Sequence, residues 1–399
     1  MKRTGEARIP VAAWGILAAA LVVRLVCGLV QSGEIDAKNL PDQAEYLSLG
    51  RGLLASGELR FFDDRFNDTV RAFRMPGYAA LVAACGGSPR AVRIFQALLD
   101  TATVLAAGLL ARRVAGDRAM LLAMGIVALN PLLIYFSALI LTETLTVSLL
   151  AWAMLLLHRR AWWGGAVLLA AAVLVRPNVL LLSPLLAMVA AHGLPLRSRL
   201  TAIAAPLLMS FVVLLPWAWR NSRVLDAWIW TTTNTGITLY DGFNPAATGA
   251  SDQSFVKSWV SHKGPPLNEV ERSEYLTAQA WDYIVHHPAR VVELTVIKAA
   301  RTLSPVPLST AYASKLTWAI GLGYTLPLMI LTAVGVWRAG IPRSLKVYLL
   351  LPTIYLTAVH ALSVGSLRYR IPAEPPMAVI AALAILPRSN ETKLPDVRS

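Results

Sequence analysis

Apolar runs of about 20 residues recur along this chain, and most of them end at lysine or arginine. They predict helices at Val11–Val30, Val92–Leu110, Met120–Ala138, Thr144–Leu157, Trp163–Val175 and Val179–Ala191. A seventh follows Arg197 and Arg199 and runs to Trp217; the last three are expected at Leu316–Trp337, Val347–Leu362 and Pro372–Leu386. About ten such helices make an all-α polytopic membrane protein, read as a single transmembrane domain over residues 1–399. Lys2, Arg3 and Arg8 precede the first run, and no small-residue cleavage site follows it, so it is read as a retained helix.

The basic connectors alternate with the runs. Arg112 and Arg113, then His158, Arg159 and Arg160, then Arg197 and Arg199, then Arg338, Arg343 and Lys346, and finally Arg388 and Lys393 mark one side. The positive-inside rule makes that side cytoplasmic and places both termini there. The expected location is a bacterial inner membrane. Two long polar stretches, residues 31–75 and 220–315, then lie outside. The inner connectors are too short to build a domain, so chemistry is expected on the outer face. In the second stretch, Glu269–Val285 has helical apolar spacing. In Arg290–Arg301, Arg290, Glu293, Lys298 and Arg301 fall within about 140° of one helical face. That pattern suits a helix in the membrane interface, serving either packing or acceptor guidance.

Composition agrees. Of 399 residues 56% are hydrophobic and only 15% charged, with mean hydropathy +0.55. The net charge of +14 is accounted for by helix-flanking Lys and Arg, so no nucleic-acid partner is expected. Cys27 and Cys85 lie in or beside apolar segments, which predicts neither a disulfide framework nor a cysteine metal site.

Candidate chemistry concentrates outside. Pro41 and Asn39 suggest a helix start with Asn39 as cap, placing Asp42 in its first turn. Two readings stand for Asp42: a carboxylate favoured by the helix dipole, or a partly desolvated base for an acceptor hydroxyl. Glu45 and Tyr46 share its face. Glu143, at the outer start of the fourth helix, is either a helix-start acid or a second site carboxylate. Arg71, Arg74, Arg176, Arg368 and Arg370, with Tyr369, fall on the same side. Singly each is an interfacial anchor; together they suit a phosphate leaving group, on which charge builds as a glycosidic bond breaks. Arg24, inside the first helix, either snorkels to the outer interface or meets a lipid phosphate. Asp63 and Asp64 are a weak divalent-metal candidate, and neither a metal nor any other cofactor is expected. Walker A, GxGxxG, HExxH and GxSxG motifs do not occur.

Pro41-Asp42-x-x-x-Tyr46, Leu54-Ala55-Ser56-Gly57 and Pro76-Gly77-Tyr78 resemble the first outer loop of GT-C glycosyltransferases, of the protein O-mannosyltransferase and lipid A aminoarabinose transferase kind. The resemblance extends to Asn130-Pro131 with Leu141-Thr142-Glu143, Val175-Arg176-Pro177, Pro216-Trp217-x-x-Arg220-Asn221, Gly242-Phe243-Asn244-Pro245 and Arg368-Tyr369-Arg370-x-Pro372. It implies inverting transfer from a polyprenyl-phosphate sugar to a lipid, glycan or protein acceptor outside the cytoplasm. It also implies that Asp42 is the catalytic carboxylate and Glu143 a second site acid. Met75 stands where the aminoarabinose enzymes are expected to carry lysine, and Glu45 where they carry arginine, which leaves the phosphate contacts and the sugar open. Two alternatives are a lipid-linked glycan flippase, which would place polar groups near the bilayer midplane, and an O-antigen ligase or polymerase.

Overall fold

The computed structural model describes residues 8–31, 35, 40–256, 267–309, 312–338 and 340–387. The expected cap Asn39 and the basic residues Lys2, Arg3, Arg388 and Lys393 lie outside the described residues.

Helix α1 (Val11–Val30) packs along α4 (Pro89–Ala128). Helix α4 consists of two helical arms joined at Ala115 and Gly116, whose backbone is non-helical, with Gly116 at φ +76°. The chain reverses there. A Cβ on Gly108 would lie 2.3 Å from Met124 Cγ, whereas 16 residues of straight helix span about 24 Å. The second and third predicted helices are therefore two arms of a hairpin. Its turn follows the Arg112–Arg113 connector.

Next come α5 (Pro131–Ser137), α6 (Glu143–His158), α7 (Trp162–Val175), α8 (Leu182–Ala190) and α9 (Leu196–Leu225). Near the carboxyl end, α13 (Lys315–Ile320) runs through a π turn into α14 (Leu326–Trp337), α15 is Arg343–Ala361, and α16 is Glu374–Ile385. Among the described residues five helical segments are long and apolar enough to cross a membrane: Val11–Val30, Pro89–Ala128, Leu196–Leu225, Lys315–Trp337 and Arg343–Ala361. That is fewer than the ten expected, for two reasons. The hairpin counts once, and α6, α7, α8 and α16 are short: even the 16 residues of α6 rise about 24 Å against a hydrocarbon core of about 30 Å. Helix α16 is buried from Glu374 to Leu383, so its continuous apolar run reflects a place at the centre of the bundle.

The first polar stretch folds. Helix α2 (Asp42–Ser56) starts after Pro41 and ends at Gly57 in the left-handed conformation. A hairpin follows, β1 (Phe61–Asp63) antiparallel to β2 (Asp68–Val70), with Asp63 opposite Asp68. This small sheet was not expected. The Arg65 N–H donates to Asp63 Oδ1 and Asn67 takes φ 50°, which closes the turn. Helix α3 (Pro76–Ala84) then passes so close to α7 that a Cβ on Gly77 would lie 2.7 Å from the Leu174 carbonyl oxygen.

The second stretch holds α10 (Thr235–Gly242), α11 (Glu269–His286), opened by an Asn268–Glu271 capping box, and α12 (Pro288–Thr302). On α12 Lys298 is buried over the Phe243 ring and Arg290 donates to the Ala247 carbonyl, while Glu293 stays exposed. Val292 and Val296 stand exposed. Two exposed valines four residues apart share one face, which suits a helix whose free side meets lipid.

Arg24 is corrected. It does not reach an interface: it is buried, paired with Asp100, and donates to the carbonyls of Ala20, Val127 and Ala128.

Candidate functional site

Four segments meet at one end of the bundle: the first turn of α2, the extended residues before α3, the α7 end with the start of α6, and the 3-10 turn Leu367–Ala373. Each places a charge there for a local reason. Asp42 is the first residue of α2, where the helix dipole favours a carboxylate. Glu143 holds the same position on α6. Arg176 follows the last residue of α7 and precedes Pro177, which prevents the helix from continuing.

Asp42 lies between two arginines. Arg74 Nη2 donates to Oδ1 at 2.6 Å and Arg368 Nη1 to Oδ2 at 3.0 Å. Arg74 also bonds Glu45, Nε to Oε2 at 2.7 Å. Arg368 also bonds Glu143 through Nε, and Arg176 reaches the same Glu143 oxygen at 3.1 Å. Glu45 is further held by Arg65 at 2.8 Å, and Arg65 clasps Asp63 through Nε and Nη2. Burial by itself would push the Asp42 carboxyl up; the guanidinium groups of Arg74 and Arg368 outweigh it and hold the group well below the ordinary carboxylate range. Glu143 is fully buried, and its Oε2 has no partner among the described residues.

Aromatic rings brace the arginines. The Arg74 guanidinium lies 5.5 Å from the Tyr46 ring centroid, and Tyr46 meets Tyr78 edge-on. Arg176 lies 5.5 Å from the Tyr369 ring, and His360 stacks on Tyr369 at 3.8 Å with the planes 2° apart. His360 Nε2 is 3.0 Å from Asn178 Nδ2. The imidazole therefore touches the neighbours of both arginines that converge on Glu143.

Asp42, Glu45, Tyr46, Arg74, Glu143, Arg176, Arg368 and Tyr369 are thus brought together. Arg370 is not. It is buried, pairs with Glu374 at 3.0 Å, and donates to the carbonyls of Thr302 and Ser304. A 3-10 turn has three residues per turn, so positions two apart point to different sides. Arg71 is held by its backbone: its N–H donates to Glu269 Oε1 and its carbonyl accepts from Arg220. None of its described contacts is to Asp42. The Trp217-x-x-Arg220-Asn221 motif serves this anchoring, since Arg220 also donates to the Leu59 carbonyl.

Asp63 belongs to the Arg65 pair and Asp64 is exposed. Among the described residues no group of three or more His, Cys, Asp and Glu side chains is placed to hold a metal ion. The acids at the site are paired with guanidinium groups, and the arrangement as it stands does not fit a divalent cation.

Arg65, His360 and Asn178 were missed by sequence reasoning. For Arg65 a signal existed: a basic residue two places after Asp63 in the loop already singled out. His360 and Asn178 carried none, being 182 residues apart.

No protein-family model and no curated protein matches the chain. Among solved structures, the oligosaccharyltransferase of Archaeoglobus fulgidus tethered with an acceptor peptide matches with TM-score 0.55 and 15% identity, covering 93% of this chain and 49% of that one. AglB from Archaeoglobus fulgidus, in complex with an inhibitory peptide and a dolichol-phosphate, matches with TM-score 0.54 and 13% identity, over 93% and 50%. ArnT from Cupriavidus metallidurans bound to undecaprenyl phosphate matches with TM-score 0.43 and 15% identity, over 94% of this chain and 78% of that one. The chain spans about half the length of the oligosaccharyltransferases it matches. Identities this low speak to architecture alone, and the architecture is the GT-C fold, shared by this chain with the archaeal oligosaccharyltransferases.

Proposed function

We propose that the chain is an inverting membrane glycosyltransferase that moves a sugar from a polyprenyl phosphate to a hydroxyl of a lipid, glycan or protein acceptor. The observation that carries this is the clustering of Asp42 and Glu143 with Arg74, Arg176 and Arg368 at one end of the bundle. The GT-C fold supports it, as do the dolichol-phosphate and peptide named with AglB. In this reading residues 31–75 and 220–315 lie outside the cytoplasm, both termini lie within it, and the apolar outer face of α12 meets lipid.

Asp42 acts as general base. It takes the proton of the acceptor O–H, and the oxygen lone pair forms the bond to the sugar's anomeric carbon from the face opposite the phosphate. The carbon–oxygen bond to phosphate breaks, its electron pair goes to the phosphate oxygen, and polyprenyl phosphate leaves. Arg74 and Arg368 stabilise the charge that builds there. Glu143 positions Arg176 and Arg368.

The test supplies purified protein with undecaprenyl-phosphate sugars or nucleotide sugars, each with and without chelator. Transfer from the lipid donor is expected. Transfer from nucleotide sugars with none from lipid donors would overturn the reading.

A further inference from the structure

As a base, Asp42 is in the wrong state. Both its oxygens accept from guanidinium groups, and a carboxylate paired with two cations has little basicity. The cations a phosphate would need are spoken for by the same contacts. Four acids, Asp42, Glu45, Asp63 and Glu143, face four arginines, Arg65, Arg74, Arg176 and Arg368, so the network has no spare positive charge.

Within that network Asp42 is the member set to leave. Its side chain is 21% exposed, against 9% for Glu45, 2% for Asp63 and none for Glu143. Each of its arginines has a second carboxylate: Arg74 keeps Glu45, and Arg368 keeps Glu143. Losing Asp42 therefore strands neither guanidinium, and each retains donors to offer elsewhere.

We propose that Arg74 and Arg368 exchange partners on donor binding, passing from Asp42 to the donor's phosphate oxygens, so that only a donor-loaded site holds a free base. This rests on the polyprenyl-phosphate reading above. The leaving group thereby unlocks the base that its own departure requires, and an acceptor arriving first meets no base. During transfer the acceptor proton goes to the freed Asp42 carboxylate and the phosphate keeps the bonding pair. Once polyprenyl phosphate dissociates, Asp42 releases the proton to water and the two ion pairs re-form. A second consequence is competition: Asp42 and phosphate want the same cations, so Asp42 weakens donor binding while enabling turnover.

The competition is measurable. The affinity of the full chain in lipid nanodiscs is measured for undecaprenyl phosphate and, separately, for inorganic phosphate. Wild type is compared with Asp42→Asn, Asp42→Ser and Arg368→Gln. Removing the Asp42 charge is expected to tighten undecaprenyl-phosphate binding by about tenfold or more while abolishing transfer, and Arg368→Gln to weaken binding. A gain shared by inorganic phosphate assigns the exchange to the phosphate group alone; a gain confined to the lipid shows that the tail must first bring phosphate to this depth. If wild type binds undecaprenyl phosphate and neither Asp42 variant binds tighter, the exchange is overturned and the donor reading stands. If wild type does not bind it, both fall.

Discussion

Two kinds of arginine–carboxylate pair stand apart from the exposed ones on the surface. Arg24–Asp100 and Arg370–Glu374 are shut inside the bundle, each pair essentially unexposed, and backbone carbonyls take up other guanidinium donors. The Asp42 cluster sits at the end of the bundle, partly exposed, and its arginines are shared among carboxylates. A buried pair of fixed partners makes one arrangement much better than any other. Breaking one side leaves a charge in low dielectric. Shared partners at an open edge make several arrangements comparable, which is what a site that must admit an anion needs.

The largest expected effect separates the two kinds by activity. Asp42→Asn should lower the transfer rate by about 10²–10⁴ while membrane insertion and thermal stability stay near wild type. Normal turnover in that variant would reduce Asp42 to a helix-start acid. Next, Arg24→Met should destabilise by about 3–5 kcal/mol, because Asp100 is left buried and alone. The double variant Arg24→Met/Asp100→Leu should recover most of that loss in a detergent melt. No recovery would mean that the carbonyl contacts of Arg24 matter more than the ion pair.

Arginines two residues apart give the third contrast. Arg368→Lys keeps charge but loses the fork, and should raise the donor KM by about tenfold. Arg370→Lys should lower stability and leave donor KM unchanged; the reverse pattern would place the phosphate on the other side of the turn. Smaller again is His360→Ala, expected to raise donor KM about fivefold with kcat little changed, since it loosens Tyr369 and Asn178 rather than touching substrate. Restoration by His360→Phe would assign the effect to the ring stack, and no restoration to the Asn178 bond.

Lys298 is a third case, a buried cation with no hydrogen-bond partner among the described residues. Burial pushes its amine down to about 8, partly offset by Asp241. Unfolded, it binds its proton up to about pH 10.4. The unfolded state therefore holds more protons between pH 8 and that value, and stability should rise with pH across the window. Lys298→Met should flatten the rise in melts taken over that range. An unchanged slope would show that another group titrates there.

Much of this was legible in the chain. The bounds of α1, α6, α7 and α11 came from apolar runs and their flanking polar residues, to within a residue or so. Asp42, Glu143 and Arg176 were legible because helix ends mark their own side chains: a terminus fixes where the first and last residues stand. The hairpin at Phe61–Val70 was not, since strands of three residues carry too little alternation to separate from loop.

What the sequence determined alone is one-dimensional: where the backbone must be helical to satisfy itself in lipid, where it must break, and at which end the charges collect. Which charge meets which was decided by the fold. Arg24 finds Asp100 across 76 positions, and Arg368 finds Asp42 across 326. Nothing local distinguishes the arginine that closes a core from the one that joins the half-buried cluster at the bundle's end. Arg368 and Arg370 differ by two residues in sequence, and the 3-10 turn that carries them sends one to Asp42 and the other to Glu374. Long side chains choose among partners by distance and desolvation, and both are properties of packing.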